Sequence, residues 1–95
     1  MGQKSEEDGW KAFVTLCSKL DTPEEVKKIF DLFFTIEEKE TLGRRLLIVK
    51  ALREGKRTQR EIADDFNVSI SQITRGSNAL KIIDSSVGKI LDKLL

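Results

Sequence analysis

From Thr58 to Leu80 the chain reads T-Q-R-E-I-A-D-D-F-N-V-S-I-S-Q-I-T-R-G-S-N-A-L, and no other stretch restricts the fold as tightly. It holds two helix starts eleven residues apart. Thr58 with Glu61, and Ser69 with Gln72, have capping-box spacing: the hydroxyl accepts from an N–H three residues on, and the longer side chain accepts from the cap residue's own N–H. Between the starts, Ile62, Ala63 and Phe66 form one apolar face at helical spacing. Asn67 stands where the chain must turn, and asparagine tolerates left-handed backbone. Val68, Ile70 and Ile73 are expected to fill the corner between the helices. Ser71, Gln72 and Thr74 open the second helix with short polar groups that suit base edges better than a core. The stretch reads as a helix-turn-helix.

The rest of the chain limits what can surround it. Ninety-five residues with 39% hydrophobic content make one small domain, and a chain of this size buries only about 60–65% of its unfolded surface. Glycine and proline are few, and apolar residues recur at helical rather than alternating spacing, so the fold class is all-α. A single cysteine excludes an internal disulfide framework, and without histidine or C-x-x-C there is no metal site to expect. No apolar run approaches the ~20 residues of a membrane span, and the acidic start is unlike a secretory leader. The expectation is a soluble cytoplasmic protein without membrane partners.

Charge is segregated along the chain. Residues 1–41 carry six Lys+Arg against ten Asp+Glu, a balance of −4, whereas residues 42–95 carry eleven against six, a balance of +5. Arg44, Arg45, Lys50, Arg53, Lys56, Arg57 and Arg60 lie just before and into the helix-turn-helix with only Glu54 among them. Joined to such a reading unit, they read as a phosphate-facing stripe.

Taken in order, the first seven residues are polar and without periodicity, and are expected to be flexible. Trp10, Phe13, Val14, Cys17 and Leu20 then form a helical stripe, with Cys17 a core residue rather than a nucleophile, since no base accompanies it. Thr22-Pro23-Glu24-Glu25 starts a second helix, whose Val26, Ile29, Phe30, Leu32, Phe33 and Phe34 make it apolar on most sides, as at the centre of an oligomer. Thr35 with Glu38 starts a third helix running to Gly55, a fitting left-handed stop. Lys81 to Asp84 reads as a connection, and Asp84 or Ser85 can cap a last helix striped by Val87, Ile90, Leu91, Leu94 and Leu95. Six amphipathic helices with so little length for a core favour a homodimer. No phosphate loop, tuned carboxylate pair or nucleophile-base pair is present, so no enzyme is expected.

Several strings match one family. Leu42-Gly43-x-Arg45, Leu52-x-x-Gly55, Gln59-Arg60-Glu61 and above all Ile73-Thr74-Arg75-Gly76-Ser77-Asn78-x-Leu80-Lys81 resemble the tryptophan repressor family of bacteria, without gaps from about Trp10 through Lys81. The resemblance implies an intertwined homodimer in which the first three helices and the last form a shared core, with residues 58–80 of each chain as a reading head. It further implies sequence-specific repression of tryptophan-related genes, with L-tryptophan as corepressor. Arg45 and Arg75 match the arginines that bracket the indole, Arg75 also the one that holds the carboxylate, and guanidinium suits both tasks. Val49 and Gly76 match pocket walls. Gly76 also stands where an ordinary helix-turn-helix has an apolar side chain, as though a ligand fills the gap. The ligand's ammonium group would be received by the other subunit at Leu32, Phe34 and Thr35.

One departure falls in the pocket. Ala79 replaces a family serine whose hydroxyl accepts from the ligand's amino group, a loss of about 1.5–3 kcal/mol if nothing takes over. On the DNA side Arg60 matches a guanine-contacting residue, with Gln59, Ser69, Ile70, Ser71, Gln72, Thr74 and Lys81 around it. A related regulator answering to another ligand or to none, and a helical dimeric protein-interaction module, are the alternatives left by sequence.

Overall fold

The computed structural model describes residues 5–95 and consists of six α-helices: α1 (Glu6–Ser18), α2 (Pro23–Phe33), α3 (Ile36–Glu54), α4 (Gln59–Phe66), α5 (Ile70–Ile82) and α6 (Ser85–Leu94). Among the described residues there is no strand, and no helix is long and apolar enough to cross a membrane. Where composition suggests one domain, the chain divides into two compact units, Met1–Lys39 and Glu40–Leu95.

Helix starts follow local chemistry closely. Capping boxes close at Thr22/Glu25, Thr58/Glu61 and Ser69/Gln72. At Thr35 and Glu38 the same exchange is made over 2.9 and 3.1 Å. A further box, Ser5 with Asp8, starts α1 earlier than expected, so Glu6 and Glu7 are helical rather than loose, while residues 1–4 of that expected flexible start lie outside the described residues. At the other end of α1 Lys19 is the cap, and Leu20 falls beyond the helix. α3 stops at Gly55 (φ +67°) and α4 at Asn67 (φ 53°, ψ 50°), both left-handed. α5 runs on through Ile82, so Lys81 is helical and the connection shrinks to Ile83 and Asp84, which caps α6.

Three carboxylates tied into such bonds sit below their ordinary pKa. Glu61 is lowered by the Thr58 N–H and then its hydroxyl, Asp84 by the Ser86 hydroxyl and then the Val87 and Ser86 N–H groups, and Asp31 by its bond to Lys39. A depressed carboxylate favours the folded chain fully above its unfolded pKa and loses that contribution as pH falls through the folded one. Helical circular dichroism is therefore expected to hold through neutral pH and decline below pH ~4; a flat signal across that acidic range would contradict these caps.

In the first unit the half-buried Phe13 gathers the aromatics, with ring centroids 6.1 Å from Trp10, 6.1 Å from Phe30, 5.6 Å from Phe33 and 5.8 Å from Phe34. Neither α1 nor α2 buries a residue fully, and Cys17 is a half-buried free thiol. The second unit has a true core of five side chains, Ile48 and Ala51 of α3, Ile62 and Ala63 of α4 and Ile73 of α5, with Leu52, Phe66 and Val68 packed against it. Ile70 does not join the corner: it is the first residue of α5 and stays 47% exposed, although it shares a side of the helix with Ile73. Apolar surface remains in excess. Leu32 (73%), Ile36 (72%), Ile82 (85%) and Leu94 (76%) are largely exposed.

Candidate functional site

Two helical stripes of the second unit face each other across a cavity of about 340 Å³. α3 supplies Thr41, Arg44, Arg45, Ile48 and Val49; α5 supplies Gln72, Arg75, Gly76 and Ala79. The spacing on α5 is i, i+3, i+4, i+7, one face of one helix. The volume is within the usual range for small-molecule sites, roughly 300–1,000 Å³. Its chemistry is one-sided: three guanidiniums and no carboxylate line it. Among the described residues the ion pairs go to Lys11, Lys39, Arg53 and Arg57, so Arg44, Arg45 and Arg75 keep their charge uncompensated. Apolar walls at Ile48, Val49 and Ala79 with cations around them suit a flat apolar body that carries an acid group.

Five of the eight positions expected to touch ligand, Arg45, Val49, Arg75, Gly76 and Ala79, thus line a single cavity. Leu32, Phe34 and Thr35 belong to the other unit: Leu32 is exposed, Phe34 caps the C-terminal end of α2 half-buried, and Thr35 opens α3. Sequence reasoning missed Thr41, Arg44 and Ile48, and saw Gln72 only as a DNA-facing residue. The signal was available for Thr41 and Ile48, which fall four before and three after Arg45, the spacings that share its side of a helix.

Gly76 has a packing reason beside the one expected. A Cβ there would lie 3.0 Å from Ile48 Cγ2 and 3.4 Å from Leu52 Cδ1, so α5 approaches α3 closely enough to favour glycine. Ile48 is only 3% exposed and has little room to yield. Gly76→Val is accordingly expected to destabilise the second unit by about 1–3 kcal/mol, read as a lower urea midpoint; an unchanged or raised midpoint would contradict this packing.

The expected DNA-facing residues are nearly all exposed. Arg60, Ser69, Ile70, Ser71, Thr74 and Lys81 are open to solvent, as is Gln59, whose amide donates to Ser77 Oγ over 3.4 Å, while Gln72 is half-buried. Ala63, by contrast, is core at 5% exposure. The basic residues from Arg44 to Arg60 are divided among several settings. Arg44 and Arg45 line the cavity, Arg53 pairs with Asp92, and Arg57 pairs with Asp65 over 2.7 Å with its guanidinium carbon 5.1 Å above the Phe66 ring. Nearby acids engage Arg53 and Arg57 and the cavity takes Arg44 and Arg45, leaving Lys50, Lys56 and Arg60 as exposed cations with no ion pair among the described residues.

Comparison with known proteins is consistent across nearly the whole chain. The family model for the Trp repressor protein matches residues 8–95. A Trp operon repressor homolog of Chlamydia caviae is 52% identical over 94 residues, 99% of this chain and 93% of the relative. One of Chlamydia trachomatis serovar D is 47% identical over 91 residues, covering 96% and 97% of the two chains. A third, from Haemophilus influenzae, is 35% identical over 75 residues, 79% of this chain and 74% of its own length.

Proposed function

Because the chain belongs to the Trp repressor protein family, a family of regulators and not of enzymes, we propose that it is a DNA-binding repressor of tryptophan-related genes that takes L-tryptophan as corepressor. The observation that carries the ligand half is the cavity beside Arg45, Val49, Arg75, Gly76 and Ala79. Its apolar walls would take the indole, and Arg75 the carboxylate in a forked pair of hydrogen bonds. The excess apolar surface of α1, α2 and α6, none of which buries a residue of its own, supports a homodimer. In that dimer Leu32, Phe34 and Thr35 of one copy would complete the cavity of the other. A cytoplasmic location goes with this reading.

Ligand acts by favouring one orientation of the reading heads over others, and only a differential affinity for that state can do so. Two α5 helices then meet successive major grooves ~34–36 Å apart, a spacing known from helix-turn-helix dimers of which the Trp repressor is itself an example. Ala79 supports a second reading, a repressor of this family tuned to a ligand without the amino group's hydrogen bond. On DNA, Arg60→Ala is expected to weaken operator binding by about 1–3 kcal/mol and to flatten the preference at one base pair. Equal losses on operator and random duplex would instead make Arg60 a phosphate contact.

A further inference from the structure

Gln72 occupies two structures at once. It is the third residue of α5 and closes that helix's capping box: its N–H donates to Ser69 Oγ over 3.2 Å, and its Oε1 accepts from Ser69 N–H over 3.1 Å. It also lines the cavity, half-buried, with Arg44, Arg45 and Arg75. The cap settles which end of the carboxamide is free. A backbone N–H can only face the oxygen, so the oxygen is committed to Ser69 and the NH₂ is what the side chain has left to offer. That NH₂ has no protein partner among the described residues.

From this geometry, and resting on the reading of the cavity as a ligand site, we infer that Gln72 is a ligand-sensing residue. Its Nε2 donates to the acid group of the bound molecule while its Oε1 holds the first turn of the recognition helix. The ligand class is a carboxylate: the cavity presents three guanidiniums and the Gln72 NH₂, and no carboxylate of its own. A bond made on the cavity side would draw on the same planar amide that fixes Ser69. Occupancy would then reach Ser69, Ile70 and Ser71, residues on the exposed start of α5, through one side chain and without a relay across the core. Coupling of this kind is reciprocal, so a group that steadies the cap also steadies the ligand. Gln72 is a positioning residue in the DNA-binding step and a direct contact in the ligand step.

The test separates the cap from the donor. Gln72→Glu keeps a capping-box residue at the same position, so the melting temperature of the full chain is expected to stay within a few degrees. It exchanges the NH₂ for a carboxylate oxygen that repels the ligand's acid group and occupies the neighbouring arginines. Calorimetry of L-tryptophan with wild type and Gln72→Glu, without DNA, is expected to show at least a tenfold weaker Kd for the variant. Equal Kd values at unchanged melting temperature would overturn the role of Gln72 and leave the ligand site standing. Absence of L-tryptophan binding in the wild type itself would overturn both.

Discussion

Arg75→Ala is expected to abolish the response to L-tryptophan while leaving the chain folded. The side chain is solvent-exposed and takes no part in the five-residue core, so its removal opens no cavity in the packed interior. It lines the cavity proposed for the ligand, where it would be the guanidinium that pairs with the carboxylate. Each hydrogen bond to a charged group contributes about 1.5–3 kcal/mol, and the forked pair makes two. Losing both weakens binding by roughly a hundredfold or more, at 1.4 kcal/mol per factor of ten. Arg75→Lys restores charge without the fork and is expected to recover only part of the loss. Calorimetry gives the Kd, and operator titration gives the response; full response in the alanine variant would remove Arg75 from the ligand site.

The second large effect falls on stability. Ile62 is fully buried, and with Ile73 it is the bulkiest side chain enclosed in the second unit. Ile62→Ala removes methyl groups from a core with few other buried residues, at a cost of about 2–5 kcal/mol. Small domains have ~5–15 kcal/mol in total, so the urea midpoint should fall by a large fraction. An equivalent truncation at a solvent-facing residue of the same helix, Asp64→Ala, should shift it by less than about 0.5 kcal/mol. A similar midpoint for both would contradict the core as described.

How much of this was readable beforehand depends on the range of the interaction. Helix starts were, because a capping box is a bond between residues three apart: Thr22, Thr35, Thr58 and Ser69 all cap where their partner residues indicate. The Ser5 box went unread only because its third residue is Asp8 rather than glutamate or glutamine. The left-handed stops at Gly55 and Asn67 were legible from residue type. What failed to show was tertiary. The basic run looked continuous in sequence, yet Arg53 and Arg57 find Asp92 and Asp65, whose proximity depends on how helices pack. The cavity was visible through the family resemblance at Arg45, Val49, Arg75, Gly76 and Ala79, but not at Arg44 or Gln72, whose membership depends on the facing of α3 and α5. Gly76 carried one reason in sequence and gains a second in space, the approach of Ile48.

Ligand binding and DNA binding are expected to be joined in one molecule. A gel-shift titration of the full chain against a palindromic operator, with and without L-tryptophan at fixed salt, measures that directly. The expected result is an operator Kd at least tenfold tighter with L-tryptophan, and little change on random duplex. Identical operator affinity with and without the amino acid would contradict it.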